Sequence, residues 1–327
     1  MTKNSSVLVV TFFLFLISFR IAYDFLNGIE YHYEEAQYWV WSQNPSLSYL
    51  TKGPFVASII SLSNSIFGQS YLGLKFFSLL AYIGTIIFMS YSSIALNKDN
   101  NIGVTALLIT GLSPAVFFLG GVASTDVYLF FFWSLALFGY IKFYVNKDER
   151  WFYLISLATG LGLLTKLSMA LFPTSILIYF LVTENRKYFY SIHLYFSALL
   201  AILIASPIII WNIDNDWLTL SHEMGHLVSG TPSNNPEILL MTMIVTIPSA
   251  LLLFIKDIRA KIFSKESSFL LIPFLIMFSF FVLKSFSGKI QLNWTIPLFL
   301  TLVPLLSYAV NNKTKSVIAL SFFILSP

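Results

Sequence analysis

Apolar runs recur about eleven times along this chain, at residues 7–27, 72–96, 102–120, 125–144, 151–165, 167–183, 189–211, 237–255, 268–284, 291–310 and 316–327. A helix needs about 20 apolar residues to cross roughly 30 Å of hydrocarbon, and most of these runs approach that length. The pattern predicts an all-α, polytopic transmembrane helix bundle. It reads as a single domain over residues 1–327 with no separate soluble C-terminal domain, either a compact member of its class or one lacking an extramembrane part. Only 10% of the residues are charged and 57% are apolar, against about 25% charged in an ordinary globular domain. A soluble enzyme, a disordered chain and a nucleic-acid binder are thereby excluded. With no cysteine, disulfide frameworks, thiolate metal sites and thiol nucleophiles are excluded too. No small-x-small cleavage site precedes Asp24, so the first run reads as a retained span.

Lysine and arginine in short loops set orientation. With the N-terminus in the cytoplasm, thirteen of the 19 basic residues fall inside and five outside (Lys52, Lys75, Lys166, Lys284 and Lys289), while Arg20 lies within the first span. Arg20 is costly to bury unpaired, and Asp24, one turn on, is its expected structural partner. Two outer segments, 27–71 and 212–236, are too long to be simple connectors, and acids collect on that face. Long loops in compact chains are usually functional, so the chemistry is expected at the outer face.

In the first outer loop, Tyr31 to Ser42 reads as a short amphipathic helix carrying the adjacent carboxylates Glu34 and Glu35. The pattern puts both carboxylates at the membrane boundary and places Tyr38 and Trp41 at headgroup level. Pro45 ends that helix. The turn Tyr49-Leu50-Thr51-Lys52-Gly53-Pro54 leads into Phe55–Phe67, too short and too polar to span and therefore expected to lie in the interface.

Glu34-Glu35-Ala36-Gln37-Tyr38-Trp39-Val40-Trp41-Ser42 followed by Ser48-Tyr49-Leu50-Thr51-Lys52-Gly53-Pro54 resembles the first periplasmic loop of membrane glycosyltransferases that use polyprenyl-phosphate sugars. These are the protein O-mannosyltransferases and lipid A aminoarabinose transferases of the GT-C fold. Further elements match in the same order: Ser124-Thr125-Asp126, Gly160 to Lys166, Pro207 to Trp217 with Trp211-Asn212, and Asn293-Trp294 with Pro297. The sequence departs where the family has Asp (Glu34), Gly (Ser48) and a first Pro (Gly53).

The resemblance implies inverting transfer of a sugar from a polyprenyl-phosphate donor to a hydroxyl of a glycan, glycolipid or protein acceptor, at the outer face of the inner membrane. Membrane lipids are the other expected partners, and nucleic acid is not. Glu34 stands where the family has its base, with Glu35 as second candidate; such a base contributes about 10²–10⁴ in rate. Lys52 and Lys166 are the candidate partners of the leaving phosphate, where negative charge grows in the transition state. Tyr38, Tyr49, Asp126, Trp211, Asn212, His222, Asn293 and Trp294 are candidate substrate contacts. Asp126 fits equally a helix N-terminal charge and an orienting group. The reading assigns no cofactor and no metal ligand, and leaves divalent-metal dependence open.

Two other readings compete. A transporter or flippase of lipid-linked sugars would place ionisable groups at mid-membrane in broken or repeated helices, whereas most acids here sit at the interfaces. His222-Glu223-Met224-Gly225-His226 fits the zinc-protease pattern His-Glu-x-x-His, whose two histidines share a helix face. Gly225, Gly230 and Pro232 would break that helix, and no clear third ligand follows.

Overall fold

A computed structural model describes residues 3–26, 32–219, 221–222, 225, 264–287 and 291–311. The described residues form twelve α-helices: α1 (Lys3–Leu26), α2 (Tyr33–Gln43), α3 (Phe55–Phe67), α4 (Tyr71–Asn97), α5 (Asn100–Gly111), α6 (Pro114–Gly120), α7 (Thr125–Asn146), α8 (Trp151–Thr165), α9 (Leu171–Val182), α10 (Ile192–Asp214), α11 (Ser268–Ser287) and α12 (Ile296–Asn311). Short 3-10 turns cover Leu167–Ala170, Glu184–Tyr190 and Leu292–Thr295. Among the described residues four helices are long and apolar enough to cross a membrane, or up to six if each bent pair counts as one span. The candidate spans 237–255 and 316–327 lie outside the described residues.

Helix α7 is the centre of the bundle. It packs on α4 and α8, while α8 is sandwiched between α7 and α10. Trp133, Phe130 and Tyr140 of α7 are almost fully buried. Their polar atoms find partners: Trp133 Nε1 donates to Thr301 Oγ1 (3.0 Å) and Tyr140 Oη to the Phe269 carbonyl (2.9 Å), as buried polar groups require. The Ser124 side chain accepts from the Asp126 N–H at the start of α7, and Lys147 ends it in a left-handed conformation (φ 55°). Helix α10 is the opposite case, with most of its surface outward, as suits a helix against lipid.

One expected span is divided. Residues 102–120 form α5 and α6, which meet at 66°. The cause is Pro114, which pushes Ser113 into an extended conformation (ψ 118°). The break expected near Gly160–Lys166 falls at Lys166, where the backbone is extended, and α8 runs through both glycines. Gly160 is needed there because a Cβ would lie 2.7 Å from Cβ of Ile204 on α10.

Arg20 faces protein, as its burial demands, and donates to the Phe117 and Phe118 carbonyls (3.2 and 3.3 Å) near the end of α6. Those are terminal carbonyls with few intrahelical partners. The Asp24 side chain, its expected partner, lies outside the described residues.

Candidate active site

Helix α2 begins at His32. Its Nδ1 accepts from the Glu34 N–H (3.3 Å), while Glu35 reaches back to accept from the His32 N–H (3.0 Å). This reciprocal cap fixes the first turn. Neighbouring residues on a helix point about 100° apart, so the two carboxylates cannot share a face. Glu35 points inward and is fully buried, where Oε1 accepts from the Ala123 N–H (2.7 Å) and pairs with Lys75 Nζ (3.2 Å). Lys75 in turn donates to the Gly121 carbonyl (3.1 Å). A Cβ at Gly121 would lie 1.9 Å from the Arg20 guanidinium carbon, so this stretch accepts two cations only because it lacks a side chain. Glu35 thereby ties α2 to α4 and to the turn preceding α7.

Glu34 is half-buried and lines an open cavity of about 420 Å³. Pro114, Ala115, Phe118, Leu119, Val122 and Ile296 form its apolar wall; His32, Tyr33, Glu34, Ser124, Asp126, Gln291 and Asn293 complete it. Asp126 is buried in the first turn of α7. Its Oδ1 accepts from Lys166 Nζ (2.7 Å) and its Oδ2 from Asn293 Nδ2 (2.5 Å). Asp126 therefore serves as a helix N-terminal charge and also as the tie between two motif segments. The arrangement is amphipathic, with carboxylates, amides and an imidazole facing one lipophilic helix.

The structure thus brings Glu34, Asp126 and Asn293 to one cavity, with Lys166 held on Asp126. It does not bring every expected residue there. Lys52 is half-buried, and its carbonyl accepts from the Tyr49 N–H (3.0 Å) and Ser48 Oγ (3.3 Å) in a closed turn. Tyr49 stacks on Trp41 with ring centres 4.4 Å apart, and its hydroxyl donates to the Trp41 carbonyl (3.0 Å). Both Tyr49 and Trp41 brace the loop. Asn212 is buried; its Nδ2 donates to the Ile208 carbonyl (2.9 Å) and its Oδ1 accepts from the Thr219 N–H (3.2 Å), so its amide organises the end of α10. Thr219 Oγ1 then donates to the Tyr49 carbonyl (3.4 Å), joining the second outer loop to the first. Trp294 Nε1 donates to Gln291 Oε1 (3.0 Å), while Trp211 and His222 are half-buried away from the cavity lining.

Two side chains expected to face the membrane boundary are turned into protein instead. Glu35 is fully buried because the α2 face that carries it packs inward, and Tyr38 on the same face is 2% exposed. Burial, reinforced by the nearby Glu34 charge, pushes the Tyr38 phenol well above its ordinary range. The residues missed by motif reading are His32, Lys75 and Gln291. Lys75 carried a usable signal: a lysine inside an apolar span is expected to have a named partner.

Gly53 shows why the first loop meets the Lys166 segment. A Cβ there would lie 2.0 Å from the Leu164 carbonyl oxygen, so the turn packs backbone to backbone on the end of α8, two residues before Lys166. Among the described residues no three His, Asp or Glu side chains gather to hold a metal. Glu223 and His226 of the His-Glu-x-x-His stretch lie outside the described residues.

Residues 51–211 match the dolichyl-phosphate-mannose-protein mannosyltransferase family. Over 233 residues the chain is 25% identical to the lipid A galacturonosyltransferase RgtD of Rhizobium johnstonii, covering 68% of this chain and 46% of that one. It is 28% identical over 157 residues to an uncharacterized protein of Aquifex aeolicus, 48% of this chain and 32% of that one. In fold it is similar to ArnT from Cupriavidus metallidurans bound to undecaprenyl phosphate, with TM-score 0.76 and 16% identity over 96% of this chain and 61% of that one. The apo form of ArnT gives TM-score 0.78 and 15% identity over 97% of this chain and 61% of that one. The chain therefore spans less than half the length of the curated relatives it matches. The resemblance to polyprenyl-phosphate-sugar-dependent GT-C membrane glycosyltransferases, read from the motifs, is upheld by the family match, the relatives and the fold together.

Proposed function

For a chain that resembles the polyprenyl-phosphate-sugar-dependent GT-C glycosyltransferases, we propose glycosyl transfer from a polyprenyl-phosphate sugar to an acceptor hydroxyl at the Glu34–Asp126–Asn293 cavity. The observation that carries this reading is convergence. Three motif residues far apart in sequence line one cavity, and a fourth, Lys166, is ion-paired to one of them. The apolar wall from α6 suits the lipid portion of a donor, and the polar wall suits its sugar.

Glu34 is the general base. It faces the cavity, and its oxygens are not committed to the buried network that occupies Glu35. It takes the proton of the acceptor hydroxyl as the new C–O bond forms at the anomeric carbon. The bond from that carbon to the phosphate oxygen breaks, the oxygen leaves with the electron pair, and the configuration inverts. Asp126 orients the reacting groups through Asn293 and Lys166. Lys52 and Lys166 belong to adjoining segments, because Gly53 packs on Leu164. Lys166, held on Asp126, stabilises the leaving phosphate, whose charge is greater in the transition state than in the ground state, and Lys52 adds its charge from the adjoining turn outside the cavity lining. The acceptor is a glycan, glycolipid or protein, and the cavity faces the outer side of the inner membrane.

The test is single-turnover transfer and donor binding in nanodiscs. Glu34→Gln keeps the shape but cannot accept the proton, so turnover should fall by about 10²-fold or more with donor binding little changed. Near-normal transfer by Glu34→Gln would remove Glu34 from the chemistry and this cavity from the reaction.

A further inference from the structure

At the end of the bundle opposite the cavity, α7 finishes at Asn146, α8 begins at Trp151, and α9 turns into the 3-10 segment Glu184–Tyr190. The 22 residues of α7 separate this end from the cavity by about 33 Å at 1.5 Å per residue, roughly a bilayer's hydrocarbon thickness. The 3-10 segment departs from the preceding helix by 117°, so it runs across the bundle end rather than through it. Five cations stand here: Lys142, Lys147, Arg150, Arg186 and Lys187.

Two of the five donate to oxygen acceptors: Arg150 to both oxygens of Asp148 (3.0 and 2.9 Å), and Arg186 Nε to the Leu181 carbonyl (2.6 Å). The other three lie over aromatic rings; Lys142 is half-buried, 5.3 Å from the Trp151 ring, whereas Lys147 and Lys187 are the more exposed. Lys147 Nζ sits 3.9 Å above the Tyr144 ring and Lys187 Nζ 5.2 Å from the Tyr188 ring, and neither makes an ion pair among the described residues. The two segments meet at Phe143: its carbonyl accepts from the Lys147 N–H (2.8 Å), and its ring lies 4.8 Å from that of Tyr188, beside Lys187. Partial burial, and then the charge of Lys187, holds the Lys147 ammonium below its ordinary range. Among the described residues Asp148 is held by Arg150 and Glu149 accepts from Ser191 Oγ, and neither Glu184 nor Glu266 forms an ion pair with either lysine.

Beside these lysines, Tyr190, Ile192, Tyr195 and Phe196 are all more than half exposed, Tyr190 at 91%. Aromatic and aliphatic groups at a bundle end, next to two adjacent cations on aromatic supports, match the boundary of acyl chains and headgroups. A soluble anion would gain nothing from the apolar band, whereas a lipid uses both features.

We propose that Lys147 and Lys187 form a binding site for the phosphate headgroup of an anionic membrane lipid, with its acyl chains along Tyr190, Ile192, Tyr195 and Phe196. The site stands apart from the cavity and does not depend on the transfer reaction.

The full chain, purified from detergent with equimolar phosphatidylglycerol and phosphatidylcholine, is examined by native mass spectrometry for retained lipid. A basic residue near an anionic surface contributes roughly fivefold in affinity, so Lys147→Gln/Lys187→Gln should weaken phosphatidylglycerol retention by about 30-fold. The charge-neutral change Asp148→Asn/Arg150→Gln removes a closed ion pair without freeing either charge, and should retain the lipid as wild type does. Lys187→Gln alone, at an exposed position, should lose about fivefold and covers the case of a double variant that does not fold. Equal retention of the two lipids by the wild-type chain, undiminished retention by the folded lysine variants, or displacement of the lipid by millimolar inorganic phosphate would each overturn the proposal.

Discussion

Lys75→Met removes the cation facing Glu35 while keeping the length and apolar stem of the side chain. At 3.2 Å, the Lys75–Glu35 attraction is about 5 kcal/mol with an effective dielectric of 20. Desolvation offsets much of that when the pair forms, but removing one partner leaves the other charge buried, which typically costs about 3–5 kcal/mol. Glu35 would keep the Ala123 and His32 N–H groups, so the loss should fall near the lower end, about 3 kcal/mol. Glu35→Gln should cost a similar amount, because the buried Lys75 ammonium then faces a neutral amide in place of its carboxylate. The double variant Glu35→Gln/Lys75→Met buries no charge and should be more stable than either single variant, with a coupling of at least about 2 kcal/mol. Reversible unfolding in mixed micelles of increasing sodium dodecyl sulfate measures all four proteins. Strict additivity would mean that the pair does not interact as drawn, and α2 would lose its anchor to the turn before α7. The same unfolding assay separates the two carboxylates, since Glu34→Gln should leave stability within about 0.5 kcal/mol while lowering turnover by about 10²-fold or more.

Gly53→Ala forces the first loop off the Leu164 carbonyl and should destabilise by about 1–3 kcal/mol, with faster protease cleavage near residue 50 as the readout; unchanged cleavage would contradict the close approach. Tyr38 is held neutral by burial, so the fold should lose stability as pH rises above the ordinary tyrosine range near 10, where the unfolded state gives up its proton. Tyr38→Phe should flatten that loss in alkaline unfolding curves, and an identical slope would refute it. Asp126→Asn should loosen Lys166 and Asn293 together, so Asp126→Asn/Lys166→Met should be clearly less damaging to stability than the sum of the single changes. Single cysteines at positions 47 and 150 of the cysteine-free chain should label from opposite sides of the membrane; labelling of both from one side would reject the orientation.

The apolar runs and the ordered motifs were enough to read an all-α membrane bundle and its resemblance to a glycosyltransferase class, because both are local properties of the chain. The hydrocarbon requirement acts on each segment separately, and Pro114, Ser124 and Pro45 act within a few residues of themselves. Motif order also named Glu34, Asp126, Lys166 and Asn293, but not that three of them share a cavity wall. Their proximity depends on α7 lying between α4 and α8 and on the approach of Asn293 to the start of α7 across 167 residues. The division of labour between Glu34 and Glu35 is likewise tertiary. Adjacent carboxylates are equivalent in composition and differ only by a turn of about 100°, so what lies on each side decides their roles. Lys75 and the bare backbone of Gly121 lie on one side, and the open cavity lies on the other. Packing alone converts one acid into an anchor and leaves the other facing the space where a substrate can sit.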